Sequence, residues 1–219
     1  MKTMYVRLTL QEDILGTSPA NEQIYRDFIG ANAPDAQTLE EEVAALGVDG
    51  VAEKGMTVFP RDEEGRPIVY DYQIKGFFKD ACSMLSRVGG KGEDGKKRKV
   101  NESSRLTAFK KVIDGLIFVA PKMIPLQFDG EVEICERPLR AQTMQGERVA
   151  LASSESVPAG ATMEFEINCL AEENMAAVRE WLDYGRLRGI GQWRNSGKGR
   201  FTWEELDEDG NVIGKSHEK

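Results

Sequence analysis

The sequence predicts an α+β fold with a ferredoxin-like (RRM-like) core that carries inserted helices and loops. Three observations lead there. The chain opens on a strand-period alternation; its patterns then run helix, strands, helix and more strands; and an amphipathic helix near the C-terminus is followed by a final strand. At 219 residues and 40% hydrophobic composition the chain can bury a full core as one domain. That domain is expected to span residues 1–219, with an acidic helical insertion near 21–54 and a flexible basic loop near 89–104.

Each element has its own signal. Residues 4–10 set Met4, Val6, Leu8 and Leu10 against Tyr5, Arg7 and Thr9, the period of a half-buried strand. Residues 21–30 and 37–47 then place Ile24, Phe28 and Ile29, and Leu39, Val43 and Leu46, on helical faces, with Gly47 as a stop. MTVFPRDEEGRPIVY reads as two strands joined through the turn DEEGRP. Residues 71–76 lead into a helix, FFKDACSMLSRV, ended by Gly89 and Gly90. GGKGEDGKKRKVNESS has no apolar periodicity and reads as a flexible arm, and residues 105–114 as a short helical turn or connector. LIFVAP begins a new set of strands, with strand material around a DG turn at Asp129 and a PAG turn at Pro158. After the second turn, Met163, Phe165 and Ile167 share a strand face. Residues 172–188 form an amphipathic helix with Met175, Val178, Trp181 and Leu182 on one side; FTWEEL is the closing strand, followed by a polar tail with a turn at DEDGN.

Charge is unevenly distributed. The formal net charge of −8 argues against indiscriminate nucleic-acid binding, yet residues 71–111 hold eleven basic and five acidic side chains, and residues 179–200 six basic and two acidic. Residues 1–64, by contrast, hold five basic and thirteen acidic ones. Such segregation produces an acidic face and a basic face, or it reflects solvated helix and loop residues. Cys82, Cys135 and Cys169 stand in apolar surroundings without paired spacing and read as buried reduced thiols. With a single histidine, His217, no metal-ligand set is expected. No run of 18 apolar residues and no signal-peptide hydrophobic stretch is present, so a cytoplasmic protein with no membrane contact is expected.

Residues 185–203, GRLRGIGQWRNSGKGRFTW, interleave five glycines with five basic residues and two tryptophans. Glycine permits positive φ and close backbone approach, so this run suits contact of amides and cations with a phosphate chain; the alternative is a turn whose glycines only shape a bend. In the first reading Arg188, Arg194, Lys198 and Arg200 supply charge and Gly191, Gly197 and Gly199 the close approach. Trp193 then stacks on a base or packs in a core or subunit contact. A second anion site is read where Gly76 opens a helix between Lys75 and Lys79, at the positive end of the helix dipole. The alternative is a charged first turn whose Phe77, Ala81, Met84 and Leu85 go to the core. Lys96, Lys97, Arg98 and Lys99 of the arm complete the candidate RNA-binding set.

Three segments resemble the RAMP superfamily of CRISPR-associated proteins. In PRDEEGRPIVYDYQIKGFFKDACSML, Asp62, Gly65, Pro67, Ile74, Lys75 and Gly76 match its D-x-x-G-x-P…K-G segment. In RVALASSESVPAGATMEFEI, Glu155, Val157, Pro158, Gly160 and Phe165 match its E-x-hydrophobic-P-x-G strand hairpin. In GIGQWRNSGKGRF, Gly191, Gly197, Gly199 and Phe201 match its glycine-rich loop. The segments agree in order and spacing over about 140 residues. The subgroup most similar is the backbone subunit that polymerises along guide RNA, the seventh Cas family. Two departures stand out: the usual Ile-Pro-Gly-Ser is replaced by Val69, Tyr70, Asp71, Tyr72 and Gln73, and the following arginine by Lys79.

The resemblance implies a non-catalytic RNA-binding backbone subunit of an antiviral ribonucleoprotein effector. Such a subunit holds single-stranded guide RNA by phosphate contacts, forms a homo-oligomer along it and contacts other effector subunits. The alternative is a RAMP-like interaction factor from a mobile element that joins or inhibits a host effector, its acidity suiting basic surfaces. A guide-processing endoribonuclease of the same superfamily is a third reading. No cofactor or metal is expected. His217 lies in the polar tail, and the aspartate with which target-cutting relatives act is replaced by the run Glu53, Lys54, Gly55, Met56, Thr57, unless Asp49 or Glu53 shifts into place. No Ser/His/Asp set and no Walker motif appears, and Glu40, Glu41 and Glu42 read as a solvated helix face.

Overall fold

Alternation in the first strand has a direct structural outcome: β1 (Lys2–Leu10) turns Met4, Val6, Leu8 and Leu10 into a core and leaves Tyr5 and Arg7 on the other face. The computed structural model describes residues 1–20, 56–90, 99–143 and 146–216. These fall into two compact units, one of Met1–Ile14, Arg61–Asp129 and Pro158–Lys219, the other of Leu15–Pro60 and Gly130–Val157. The helices read at 21–30 and 37–47 lie outside the described residues.

In the first unit β1 pairs antiparallel with β10 (Thr162–Cys169) on one side and β11 (Phe201–Leu206) on the other. β6 (Ile117–Ala120) pairs with β10 and β12 (Val212–Lys215) with β11, giving the order β12-β11-β1-β10-β6. β1 and β6 therefore run in the same direction with β10 between them, and β10 and β11 do so with β1 between them. The first crossover contains helix α1 (Asp71–Leu85), with the short α2 (Glu102–Arg105) and α3 (Phe109–Leu116); the second contains α4 (Met175–Arg188). This is the split βαβ arrangement of a ferredoxin-like core, with β12 added at an edge. A small ribbon of β5 (Ile68–Tyr70) and β7 (Met123–Pro125) precedes α1 and follows β6.

The helices cover one face of the sheet. α1 buries Ile74, Phe77, Phe78, Ala81 and Cys82, the i, i+3, i+4, i+7, i+8 stripe of an amphipathic helix, and α4 buries Val178, Trp181 and Leu182. Phe78 packs on Trp181 at 5.5 Å between ring centroids, and Phe77 meets Phe201 of β11 edge-on at 5.3 Å. Burial pushes the Cys82 thiol up to about 11, and Cys169 is raised for the same reason, consistent with inert reduced thiols. Cys135 differs from the expectation: it is half-buried.

In the second unit β8 (Glu133–Thr143) and β9 (Gly146–Val157) form a long antiparallel hairpin, and the sheet continues β2-β9-β4-β3 with β2 (Ile14–Leu15), β3 (Ser18–Pro19) and β4 (Thr57–Val58). Ser154 of β9 is buried and hydrogen-bonds Thr57 at 2.7 Å, while the Glu155 carboxylate accepts the Phe59 N–H at 2.7 Å.

Four local expectations are corrected. The turns DEEGRP, DG and PAG do not join strands of one sheet: β4 and β5, β7 and β8, and β9 and β10 go to different sheets, although DEEGRP closes an isolated antiparallel bridge between Arg61 and Pro67, and the hairpin that does form pairs β8 with β9. The α1 helix starts at Asp71 rather than Gly76, because the Gln73 side chain accepts the Tyr70 N–H at 2.8 Å and Asp71 suits the first turn. Residues 102–105 are helical rather than part of an arm, capped by Asn101, whose side chain accepts the Ser104 N–H at 2.8 Å. FTWEEL is not the last strand, since the DEDGN turn carries the chain back as β12.

Candidate nucleic-acid interface

Between α4 and β11 the glycine-rich segment folds on itself. Ile190 N–H donates to Gly199 O at 2.9 Å, and Gly199 N–H to Asp13 O at 2.7 Å. A Cβ on Gly199, which has φ +71°, would lie 1.9 Å from Ile190 O. A Cβ on Gly185 would lie 2.2 Å from the Phe201 ring. The close approach that glycine permits is made here by the chain to its own backbone and core. Gly191 and Gly197 take positive φ, as the turn requires, and Trp193 does so at +52° while remaining 42% exposed.

The cations of this segment have partners. Arg188 Nε and Arg194 Nη1 each lie 2.8 Å from the same Asp80 carboxylate oxygen on α1. Lys198 pairs with Asp13 at 2.5 Å, and Arg200 lies 3.6 Å from Glu12 and donates to Gly197 O at 3.1 Å. Burial pushes Asp13 up, but the Lys198 hydrogen bond, the Ala159 N–H and the Lys198 charge together hold it below the usual carboxylate range. Chemically the segment is a brace: two carboxylates staple it to α1 and to the end of β1.

Lys75 and Lys79 point away from that brace, towards α3. Lys79 pairs with the Asp114 carboxylate at 2.6 Å, and Lys75 donates to Asp114 O at 3.2 Å and lies 5.2 Å from the Phe118 ring centroid. The Lys79 hydrogen bond holds Asp114 below its ordinary value. Gly76 is exposed in the second turn of α1, so the free helix start expected there is at Asp71 instead.

One helical turn before Asp114 stand Lys110 and Lys111. With Arg87 after α1 and Lys99 before α2, they are exposed and have no ion pair among the described residues. Lys96, Lys97 and Arg98 lie outside the described residues. The foot of this region is anchored. Asn101 Nδ2 donates to Leu85 O at 2.9 Å, and the Glu180 carboxylate of α4 accepts the Ser103 N–H at 2.8 Å and the Ser103 hydroxyl at 2.5 Å. That hydroxyl in turn accepts the Trp181 indole N–H at 2.9 Å. Lys110, Lys111 and Arg87 lie in no motif of the sequence. The charge excess of residues 71–111 was the signal that could have found them.

Of the candidate set, then, the structure gathers Arg188, Gly191, Arg194, Gly197, Lys198, Gly199 and Arg200 in the brace and Lys75, Gly76 and Lys79 on α1. Lys99 is exposed and shares none of these ion pairs. Among the described residues no group of three or more His, Cys, Asp or Glu is placed to hold a metal ion, and no helix is long and apolar enough to cross a membrane.

No protein-family model and no curated protein matches the chain. Among solved structures it is similar to a chain of the type III-B Cmr-beta complex bound to cognate target RNA, determined by cryo-EM. The TM-score is 0.47 and the identity 12%, over 94% of this chain and 60% of that one. The chain therefore spans about 60% of the length of that neighbour.

Proposed function

We propose that this chain is a non-catalytic, RAMP-like subunit of a cytoplasmic CRISPR-type ribonucleoprotein, where it holds single-stranded guide RNA by its phosphates and assembles with other subunits and copies of itself. The reading is supported by the three RAMP-like segments and by the ferredoxin-like strand order in which they are set. The observation that carries the RNA contact is that Arg87 after α1, Lys99 before α2 and Lys110 and Lys111 at the start of α3 are exposed and have no ion pair among the described residues. In sequence these residues flank Lys96, Lys97 and Arg98. Cations of this kind bind a strand through phosphates without reading bases. The Gly-rich segment is tied to α1 through Asp80, and Lys75 and Lys79 tie α1 to α3 through Asp114.

A second reading, a protein-interaction factor that joins or inhibits an effector complex, is favoured by the internal neutralisation of Arg188, Arg194, Lys198 and Arg200. Purification from cells, with absorbance at 260 and 280 nm and sequencing of any bound nucleic acid, separates the two. Co-purified short RNA is expected. Protein free of nucleic acid that also fails to bind an oligoribonucleotide would overturn the first reading.

A further inference from the structure

The sheet face opposite the helices is where RRM-like folds stack nucleobases on aromatic side chains. Here its chemistry is different. A groove of about 500 Å³ lies on it, floored by Tyr5, Leu206, Ala120 and Pro121 and walled by carboxylates: Glu164 and Glu166 of β10 on one side, Asp207 and Glu208 of the β11–β12 turn on the other. Among the described residues no lysine or arginine lines it. The nearest cation on β1, Arg7, is held by Glu164 at 2.7 Å and Glu204 at 3.5 Å, so it neutralises neighbours rather than attracting an anion. Among the described residues Glu166 accepts the Asn168 amide, at 3.0 Å, and no cation, and Glu208 is exposed. Tyr5 remains 37% exposed on the floor.

We propose that this sheet face, which the helices of the described residues leave open, is a docking surface for a lysine- or arginine-bearing segment of a protein partner, and not a nucleic-acid platform. The inference goes beyond the RNA-binding reading and concerns a different face of the same unit. An apolar floor between two acidic walls complements a basic side chain, whose aliphatic stem lies on Tyr5 and Pro121 while its charged end meets Glu166 and Glu208. The same walls repel phosphate, since Arg7 offsets only Glu164 of them and leaves Glu166 and Glu208 without an ion pair among the described residues.

The test uses the full chain, freed of nucleic acid, and fluorescence anisotropy of a labelled short peptide of alternating arginine and alanine. Glu166→Lys with Glu208→Lys is expected to weaken binding by about ten-fold or more, and the wild-type affinity is expected to fall with salt. Glu63→Lys with Glu173→Lys changes the net charge equally at exposed positions away from the groove and is expected to stay within about two-fold of wild type. If the lysine pair disturbs folding, Glu166→Gln with Glu208→Gln gives a smaller loss in the same direction. Absence of peptide binding, or equal weakening in the groove and control variants, would overturn the proposal. Loss of oligouridylate binding in the glutamine variant would do the same, by placing RNA on this face.

Discussion

In the glycine-rich stretch between α4 and β11, Arg188, Arg194, Lys198 and Arg200 each face a carboxylate, whereas Arg87, Lys99, Lys110 and Lys111, around the end of α1 and the start of α3, stand exposed without one among the described residues. Both stretches are basic, and the first carries the denser motif. The difference teaches that formal charge and available charge are separate quantities. A cation already sharing hydrogen bonds with a half-buried carboxylate has given up most of what it would offer a phosphate, and removing it leaves that carboxylate unpaired. An exposed cation without a partner costs little to the fold and is free to exchange counterions for a strand.

The largest effect is expected from the glycines of the first stretch. Gly199→Ala forces a side chain into a φ of +71° with its Cβ against Ile190 O, and should destabilise the fold by about 3 kcal/mol, read as a fall in the denaturant midpoint. An unchanged midpoint would mean that the segment is a loose loop rather than a brace. A smaller effect is expected at the staple. Asp80→Asn leaves Arg188 and Arg194 without their shared carboxylate and should cost roughly 1–3 kcal/mol. RNA affinity should hold or rise, since two cations are released. A fall in affinity at intact folding would break the comparison, because it would mean that the brace geometry itself holds the strand.

Much of the ferredoxin-like core was legible. The alternation of residues 4–10 and the stripes of Ile74 to Cys82 and Val178 to Leu182 are set by burial on one face, and burial leaves a period in the sequence. The pairing of strands was not. The turns DEEGRP, DG and PAG mark where the chain reverses, but a turn does not say which strand the next segment will pair with, and each of the three delivers its strands to different sheets. The helix start was misplaced by five residues because Gly76 is a stronger signal than the Gln73 side chain that in fact satisfies the Tyr70 N–H. In the candidate site the glycine-rich motif was visible and its role was not. Asp13 and Asp80 are far from it in the chain, and only the fold brings them to Lys198, Arg188 and Arg194. Lys110 and Lys111 follow a single aromatic residue, Phe109, and belong to no glycine-rich motif, so the surrounding charge excess is their one signal in the sequence.

The most direct test of the account is the salt dependence of affinity for a labelled single-stranded oligoribonucleotide in two quadruple alanine variants, each checked for folding. For single strands each phosphate contact contributes about −0.7 to the slope of log K against log salt concentration. Replacing Arg87, Lys99, Lys110 and Lys111 should weaken binding at low salt and flatten the slope by up to about 3, with thermal stability nearly unchanged. Replacing Arg188, Arg194, Lys198 and Arg200 should lower stability and leave the slope of the folded fraction as in wild type. The reverse pattern, a flattened slope in the second variant and a wild-type slope in the first, would contradict the account and place the RNA on the glycine-rich segment.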